Sequence, residues 1–566
     1  MKLTSIAKDI LRKRYLLKNN KGKVIETPAG MFRRVAGNIA KVDLKYNKKA
    51  NVKKVGKDFF DAMIGLDFLP NSPTLMNAGT KLGQLSACFA VPIEDSIEGV
   101  FDALKQMALI HKSGGGVGYS FSRIRPKSDL VVSSKGRASG PVSFMHIFDK
   151  ATEVIKLGGR RRGANIAILS VSHPDIIEFV ESKKNNELQN FNISVAVTDE
   201  FVKAVKKDAY FSLVNPRTGK TARRVKARLI FDKIVENAWK HGDPGIIFID
   251  EVNRKNTLKL GKIESTNPCS EVPLYPFESC NLGSINLSNI VNDGIIDWDK
   301  LQRIVRLGVH FLDNVIDANI FPLPEIEEAT KENRKIGLGI MGFAEFLIKL
   351  GIAYDSEEAV QIAERVMKFI TKEARNKSVE LGRERGSFPN FRVSVFYKRF
   401  KHMRNATVTS IAPTGTISMI ANTSSGIEPL FAISFERLVM GRRKVFEVNS
   451  LFKESMKIKG MWTKKIIKAI DHYSSVQKIK DIPEDIRRVF VTSLDIKPEW
   501  HLRVQAAFQR FTDNAISKTV NLPSSASIND VKKVFMGAYE MKCKGITVYK
   551  YGSIENQVLN VCEECK

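Results

Sequence analysis

Two neighbouring stretches, "ANIAILSVSHPDIIEFVESKK" (residues 164–184) and "NISVAVTDEFVKAVKK" (residues 192–207), each join a short apolar run to an amphipathic run. The apolar runs predict buried β-strands and the amphipathic runs predict helices. The pattern also occurs earlier, where "LSACFAVPI" precedes "SIEGVFDALKQMALIHKS" (residues 85–93 and 96–113). Strand, connection and helix repeated in this order indicate an α/β fold with parallel strands.

The chain divides into three regions of different character. Residues 1–70 are basic and predict short helices separated by loop signals such as "NNKGK" and "ETPAG". The strand and helix patterns fill residues 71–550, which we expect to form the main domain. Residues 551–566, which include "IENQVLNVCEECK", are polar and lack periodicity, so they predict a mobile tail.

Composition excludes several classes of protein. Six cysteines in 566 residues do not make a secreted disulfide scaffold, and no run approaches the roughly 18 apolar residues that a spanning helix needs. We therefore expect a soluble, cytoplasmic protein with no membrane partner. The formal net charge of +29 attracts anions such as nucleic acids or phosphorylated small molecules. Because Lys and Arg are interspersed with acidic residues, a phosphate-binding cavity is favoured over a specific nucleic-acid partner, which stays an alternative.

The segment "NPCSEVPLYPFESCNL" (residues 267–282) combines two cysteines with other polar side chains. Asn267 and Glu271 flank Cys269 at minus two and plus two, so in an extended segment the three side chains project to one side. Such a trio suits a polyol, with Glu271 taking a hydroxyl proton and Asn267 binding an oxygen. Two alternatives are a Cys269 nucleophile paired with a distant histidine and an ordinary buried cysteine.

A second segment, "PTGTIS" (residues 413–418), offers successive backbone N–H groups and hydroxyls around a glycine. It suits an anion if a helix starts there, and an ordinary turn is the alternative. The glycine run "SGGGVG" (residues 113–118) is not a dinucleotide fingerprint, because Phe121 occupies the position of the last glycine.

Taken together, these segments and several others resemble a known family in the same order along the chain. From about Arg14 to the tail, the sequence is similar to the catalytic chain of ribonucleotide reductases, most of all to the adenosylcobalamin-dependent class II type. The segments that carry the resemblance are "NSPTLMNAGT", "GQLSACFAVPIEDSIEGVFDAL", "IHKSGGGVGYSFSRIRP", "RASGPVSFM", "GGRRRGAN", "NPCSEVPLYPFESCNLGSINL", "APTGTIS" and "KGITVYKYGS".

The resemblance implies a ten-stranded α/β barrel made of two five-stranded parallel halves set antiparallel, with a finger loop that carries a radical cysteine into its centre. It implies that Cys269 is the thiyl radical that removes the 3′-hydrogen of the substrate, with Glu271 as base and Asn267 holding the ribose. Cys88 and Cys280 are the implied reducing dithiol, which requires Cα atoms within about 7 Å of each other.

The resemblance also assigns binding residues. The implied substrate-binding residues are Ser72, Ala87, Cys88, Gly116, Asn267, Pro268, Cys269, Ser270, Glu271, Pro413, Thr414, Gly415, Thr416 and Ile417. A deoxynucleotide effector is implied near a homodimer interface, at Asp95, Ser96, Ile97 and Arg125, with two specificity loops, "SSKGRASG" and "KLGGRRRGAN" (residues 133–140 and 156–165). A solvated charged surface is the alternative for the four effector residues. In the second loop, Leu157 stands where many relatives carry a polar residue.

The tail motif "CEEC" has the spacing of half a zinc site or of an exchanging dithiol. A closed zinc site needs four ligands, and the only other unassigned thiol is Cys543, which we interpret as a core residue. Cys562 and Cys565 are therefore interpreted as a shuttle that reduces the Cys88–Cys280 disulfide and is itself served by a thioredoxin-like reductant.

Three features concern the type of reductase. In class I large chains a pair of adjacent tyrosines relays the radical, whereas Lys550 separates Tyr549 from Tyr551 here. The tail is also a poor match to a glycyl-radical loop, which leaves adenosylcobalamin as the expected cofactor. A class I large subunit with a separate radical-generating subunit stays the alternative. Because too few residues precede Arg14 for an ATP-binding cone, we expect specificity control without overall activity control. Ribonucleoside diphosphates are the expected substrates, with triphosphates second.

Overall fold

The computed structural model describes residues 3–132, 134–155, 163–184, 187–439, 443–473, 475–553 and 559–560. The described α-helices are α1 Ser5–Ile10, α2 Pro28–Ala40, α3 Asp43–Tyr46, α4 Val52–Ile64, α5 Ser72–Asn77, α6 Ile97–Lys112, α7 Pro141–Val154, α8 Ile176–Glu181, α9 Asp199–Lys206, α10 Ala227–His241, α11 Ile249–Arg254, α12 Trp298–Ala318, α13 Pro324–Asn333, α14 Phe343–Lys349, α15 Glu357–Arg385, α16 Ile417–Ala421, α17 Ser450–Ile458, α18 Lys464–Tyr473, α19 Glu484–Val489, α20 Pro498–Gln509 and α21 Ile528–Glu540. A π-helical turn spans Leu11–Tyr15, and 3-10 turns span Leu287–Ile290 and Pro389–Val393.

One sheet dominates the fold. Its ten strands are β1 Phe68–Pro70, β2 Cys88–Ala90, β3 Gly116–Ser120, β4 Asn165–Ser170, β5 Phe191–Val197, β6 Gly245–Phe248, β7 Ser279–Asn286, β8 Ile336–Met341, β9 Thr519–Leu522 and β10 Gly545–Lys550. Smaller pairings join Tyr210–Val214 to Thr221–Lys226, Ser265–Thr266 to Pro273–Leu274, Val291–Asn292 to Ile295–Ile296, and Ser434–Val439 to both Arg443–Val448 and Leu559–Asn560.

The repeated strand and helix units of the sequence form the first half of the sheet. Strands β2, β3, β4, β5 and β6 lie side by side in that order, and each neighbouring pair is parallel. Helices α8 and α9 follow β4 and β5, as the patterns in residues 164–184 and 192–207 predict. All five residues of β3 are buried, which fits a strand covered on both faces.

The second half closes the sheet into a barrel. Strand β7 is parallel to β8, and β9 is parallel to β10. Residues 407–411 lie between these pairs, since Thr409 forms a parallel bridge to Leu338 of β8 and Ile411 forms one to Ile516. The two halves join antiparallel at β2 with β7 and at β6 with β10. The expected barrel of two five-stranded parallel halves is confirmed, with β1 as a further strand antiparallel to β7.

Helices of the N-terminal region pack on the second half of the barrel. Residues of α2 and α4 share a hydrophobic core with α12, and the rings of Phe59 and Phe311 meet edge to face at 5.0 Å. Among the described residues, no helix has the length and apolar character needed to cross a membrane.

A buried cluster of charges also joins these helices to the barrel. Asp313 of α12 is fully buried. It forms ion pairs with Arg334 at 2.8 Å, Arg385 at 3.1 Å and Arg404 at 3.3 Å. Arg385 reaches Asp43 of α3 at 2.7 Å as well. Burial alone would raise the pKa of Asp313, but the three guanidinium groups lower it to about 2. The carboxylate is therefore charged at neutral pH.

Candidate active site

A loop enters the barrel from the hairpin formed by Ser265–Thr266 and Pro273–Leu274. Residues 267–272 connect the two strands of this hairpin and form the finger loop. The loop passes so close to β3 that a Cβ atom added to Gly118 would lie 1.7 Å from the Thr266 carbonyl oxygen. On the same side, Asn192 Nδ2 of β5 donates a hydrogen bond of 2.9 Å to the Pro268 carbonyl. Strands β3 and β5 of the first half of the barrel therefore contact one side of the loop.

The second half of the barrel forms hydrogen bonds with the other side of the finger loop. The carbonyl oxygen of Glu271 accepts hydrogen bonds of 2.8 Å from both Ser410 Oγ and the Ala515 backbone N–H. Ser410 and Ala515 belong to the segments that close the barrel between β8 and β9. The finger loop is thus fixed inside the barrel by contacts with both halves.

The finger loop turns at its tip, so the expectation of an extended segment is wrong. Ser270 has a φ of 62°, and its N–H donates to the Asn267 carbonyl at 2.9 Å. The Asn267 side chain closes the turn, because its Oδ1 accepts from the Val272 N–H at 2.8 Å. Asn267 therefore lies fully buried behind the tip, while Cys269 is exposed at the tip. The three side chains do not share one face of a strand.

A cavity of about 330 Å³ lies in front of the tip. Its lining residues are Arg14, Tyr15, Asn71, Ser72, Met76, Ala87, Cys88, Cys269, Glu271, Leu282, Gly283, Ser284, Ala412, Pro413, Thr414, Gly415, Thr416 and Ile417. The structure thus brings together ten of the residues that the sequence proposes for the substrate. Cys269 and Glu271 of the finger loop reach the same cavity as Cys88 of β2 and the segment 413–417.

Four proposed residues, Gly116, Asn267, Pro268 and Ser270, do not line this cavity. Gly116 supports the finger loop instead, since a Cβ atom there would lie 2.9 Å from Pro268 Cγ. The other residues that line the cavity are not predicted by the sequence patterns: Arg14, Tyr15, Asn71, Met76, Leu282, Gly283, Ser284 and Ala412. For Arg14 and Tyr15 the only signal is the basic cluster "RKRY" (residues 12–15), and nothing in its spacing places it beside the finger loop.

Cys88 and Cys280 lie opposite each other in the antiparallel pairing of β2 with β7. Directly opposed residues in such pairs have Cα atoms about 4.5–5.5 Å apart, which suits a disulfide. Both are in the reduced form, and both are buried. Burial, reinforced by Cys88 and Glu271, raises the pKa of Cys280 well above its ordinary value, so this thiol keeps its proton. Asn267 Nδ2 donates to Cys88 Sγ at 3.2 Å and so connects the finger loop to the pair.

The segment 413–417 is held from behind and leaves its tip open. The Thr414 N–H donates to Ser425 Oγ at 2.9 Å, and Thr414 Oγ1 accepts from the Gly426 N–H at 2.9 Å. Gly415 is exposed, and a Cβ atom there would meet nothing within 4 Å. The short helix α16 begins at Ile417, directly after this segment. The exposed backbone and hydroxyl groups of the segment 413–417 suit a phosphate.

Comparison with known proteins fits this geometry. The family model described as "Ribonucleotide reductase, barrel domain" matches residues 86–549, and "Ribonucleotide reductase, all-alpha domain" matches residues 1–83. The chain belongs to the ribonucleotide reductase family. The reductase chain is 50% identical to the "Vitamin B12-dependent ribonucleoside-diphosphate reductase" of Thermoplasma acidophilum, over 99% of this chain and 80% of that protein. It is 48% identical to the protein of the same name from Mycobacterium tuberculosis, over 99% of this chain and 81% of that protein.

A solved structure, "Actinobacillus ureae class Id ribonucleotide reductase alpha subunit", shares the fold of this reductase. It superposes with a TM-score of 0.79 over 97% of each chain at 22% identity.

The proposed effector residues of the reductase lie together and do not line the cavity. Arg125 Nε contacts Asp95 at 2.9 Å, and the Arg125 N–H donates to Asp95 Oδ1 at 3.0 Å. Ser96 caps helix α6 by accepting from the Gly99 N–H, and Ile97 is 60% exposed at the start of the same helix. Of the two specificity loops, residue 133 and residues 156–162, including Leu157, lie outside the described residues.

The remaining cysteines of the reductase divide into two groups. Cys543 is fully buried, and burial, followed by the charge of Glu251, raises its pKa to about 12, in keeping with a core residue. Cys562 and Cys565 lie outside the described residues. Just before them in the chain, Leu559–Asn560 pairs antiparallel with Glu436 and Arg437 of the strand Ser434–Val439.

Proposed function

We propose that this chain reduces ribonucleoside diphosphates to 2′-deoxyribonucleoside diphosphates in an adenosylcobalamin-dependent radical reaction that starts at Cys269. One observation supports the proposal above all. The tip of an internal loop presents a thiol and a carboxylate to a cavity whose wall contains one thiol of the directly opposed pair Cys88 and Cys280. Cys269, Glu271 and Cys88 therefore line the same cavity, and Cys280 lies directly opposite Cys88 in the sheet.

The site fits the proposed cofactor at the point where the radical is received. Cys269 is exposed at the end of the finger loop and lines the cavity, so its thiol can be reached from the space in front of the loop. When bound, adenosylcobalamin supplies a 5′-deoxyadenosyl radical that takes a hydrogen atom from a thiol. Cys269 is the thiol that would meet it, and the barrel wall shields the resulting sulfur radical from other reductants.

The chain's own residues account for the remaining chemistry. The Cys269 radical removes the 3′-hydrogen of the ribose, and Glu271, which lines the same cavity, accepts the 3′-hydroxyl proton. The bond from C2′ to its oxygen breaks, and that oxygen leaves as water with a proton from the Cys88–Cys280 pair. The two thiols together give two electrons and two protons and become a disulfide. One hydrogen leaves in the water and the other forms the new C2′–H bond, while Glu271 returns its proton to the 3′-oxygen. Cys269 finally returns its hydrogen to C3′ and is ready for the next turnover.

Two features suit the reducing pair to this role. A thiol whose pKa is raised delivers a proton and an electron together, as Cys280 must. The Asn267 amide lies against Cys88 Sγ, so the finger loop directly contacts one thiol of the pair. After turnover, Cys562 and Cys565 would reduce the disulfide by thiol exchange and pass the oxidation to a thioredoxin-like protein. Such exchange belongs in the cytoplasm, where thiols are kept reduced.

The effector and the dimer belong to the same proposal. Asp95, Ser96, Ile97 and Arg125 would bind a deoxynucleotide effector at the N-terminal end of α6. Ile97 and Phe101, which are 60% and 48% exposed on this helix, give it an apolar surface that a second copy of the chain would cover. Binding at a shared interface would couple the effector to both subunits.

The alternatives explain less. A nucleic-acid binder does not account for a cavity lined by Cys269, Glu271 and one thiol of the opposed pair Cys88 and Cys280. A class I large subunit would share that cavity, but the relatives with 50% and 48% identity carry the name of B12-dependent enzymes.

The decisive test is direct. The protein is incubated without oxygen with CDP, dithiothreitol and adenosylcobalamin, and deoxycytidine diphosphate is measured. We expect product from the natural sequence, none from Cys269→Ser, and product from Cys543→Ala, a matched cysteine variant away from the cavity. Product from Cys269→Ser would exclude the assigned role. Activity only with a metal-radical partner protein would select the class I alternative.

A further inference from the structure

The cavity is lined by one positive and one negative side chain from different parts of the fold. Of the described residues that line it, only Arg14 is cationic and only Glu271 is anionic. Glu271 lies on the finger loop, whereas Arg14 belongs to the N-terminal region. A nucleoside diphosphate has a matching polarity, with a neutral nucleoside part and an anionic diphosphate group.

The π-helical turn Leu11–Tyr15 places Arg14 at the cavity. The turn closes with the Leu16 N–H donating to the Leu11 carbonyl at 2.9 Å, and such wide turns often occur at functional sites. Tyr15 is buried, and its hydroxyl lies 2.7 Å from Ser72 Oγ, so the turn is fixed to the cavity wall. Helix α1, directly before the turn, packs against α16, directly after the segment 413–417. The N-terminal turn and the phosphate segment are therefore neighbours.

The Arg14 side chain is available for a ligand. It is exposed, and it makes no hydrogen bond or ion pair with any other residue that the structure describes. Arg12, in the same turn, is also exposed but does not line the cavity. Comparing variants of these two arginines therefore separates the effect of a cation at the cavity from that of a cation elsewhere on the same turn.

We infer that Arg14 binds the terminal phosphate of the substrate together with the open backbone of residues 413–417. This inference rests on the proposed function and deepens it. The segment 413–417 offers neutral donors only, so a multiply charged diphosphate needs a cation nearby, and a guanidinium can bind two phosphate oxygens at once. Glu271, on the finger loop, repels phosphate from the neighbourhood of Cys269. The two charges together orient the nucleotide with its ribose at Cys269.

The test compares Arg14→Ala, Arg14→Lys and the matched control Arg12→Ala. Binding of CDP is measured by equilibrium dialysis on the protein without cofactor, and kcat and KM are measured in the complete assay. For Arg14→Ala we expect the Kd and KM for CDP to rise about 10- to 100-fold, as for loss of a charged hydrogen bond, with kcat changed less than about threefold. Arg14→Lys should lie between, because it keeps the charge and loses the planar fork. Arg12→Ala should match the natural protein.

Cytidine, which has no phosphate, separates a phosphate contact from a structural effect. We expect Arg14→Ala to bind cytidine as the natural protein does. Equal Kd and KM values for CDP in Arg14→Ala and Arg12→Ala, or an equal loss of cytidine and CDP binding, would overturn the inference. If the natural protein makes no deoxynucleotide while Arg14→Ala still loses CDP binding selectively, the proposed function fails and the phosphate contact stands.

Discussion

Gly118 of β3 sets the position of the finger loop, and Gly118→Ala tests that claim. The added Cβ atom would lie 1.7 Å from the Thr266 carbonyl oxygen, whereas real contacts of this kind are essentially never shorter than 3.0 Å. The loop backbone must therefore move by at least about 1.3 Å, because a carbonyl oxygen cannot rotate away as a side chain would. Cys269 follows Thr266 by three residues and must move with it.

The expected loss of activity follows from this displacement. A misplacement of about 1 Å in a reacting group can cost about 100-fold in rate, so we expect kcat of Gly118→Ala to fall about 100-fold or more. Overpacking should lower the free energy of unfolding by about 1–3 kcal/mol, which leaves the protein folded at 25 °C if its stability is ordinary. Turnover is measured without oxygen with CDP and adenosylcobalamin, and folding is checked by urea denaturation.

Two further glycine variants grade the effect. Gly116→Ala brings its Cβ atom to 2.9 Å from Pro268 Cγ, a milder clash, so we expect a loss of about tenfold. Gly37→Ala in helix α2 meets nothing within 4 Å, so activity should be unchanged and stability should rise by up to about 1 kcal/mol. If folded Gly118→Ala kept activity within threefold of the Gly37→Ala control, the finger loop would not be positioned as described.

Three other predictions concern the charges and the tail. Asp313→Asn leaves Arg334, Arg385 and Arg404 without their shared carboxylate, so the free energy of unfolding in urea should fall by about 3–5 kcal/mol. The control Asp61→Asn removes an exposed ion pair with Lys57 and should lower it by at most about 1 kcal/mol. Equal losses in the two variants would contradict the assigned role of the buried cluster. Because the pKa of Asp313 is lowered from 3.8 to about 2, its contribution is complete above about pH 4 and is lost as the pH falls towards 2. The stability difference between the natural protein and Asp313→Asn should therefore be constant from pH 7 to 5 and narrow below pH 4. Replacing Cys562 and Cys565 with serine should stop turnover with thioredoxin as reductant and spare it with dithiothreitol; equal activity with both reductants would argue against the shuttle.

Local sequence patterns predict the first half of the barrel well. The units in residues 164–184 and 192–207 form β4, α8, β5 and α9 because each continuous apolar run is buried as a strand and each amphipathic run buries one face of a helix. The closing segment, residues 407–411, carries no such signal. Backbone hydrogen bonds and isolated bridges to β8 and to residues 514–517 hold it in place, and these partners are far away in the chain.

The candidate site shows the same division. The sequence indicates the residue types of the finger loop, but the turn at Ser270 that buries Asn267 and exposes Cys269 depends on side-chain hydrogen bonds within the folded tip. The pairing of Cys88 with Cys280 follows from the register of β2 against β7, which no local pattern specifies. Arg14 reaches the cavity only because the N-terminal helices pack on the second half of the barrel.

The sequence by itself determined the alternation of strands and helices, the chemistry of its cysteines and the family that its segments resemble, because these depend on residue type and short spacing. Only the tertiary structure decided which thiol faces the cavity, which two thiols oppose each other and which cation shares the space with them. Those arrangements arise when the two halves of the barrel close around the finger loop, and closure depends on contacts between residues that are distant in the chain.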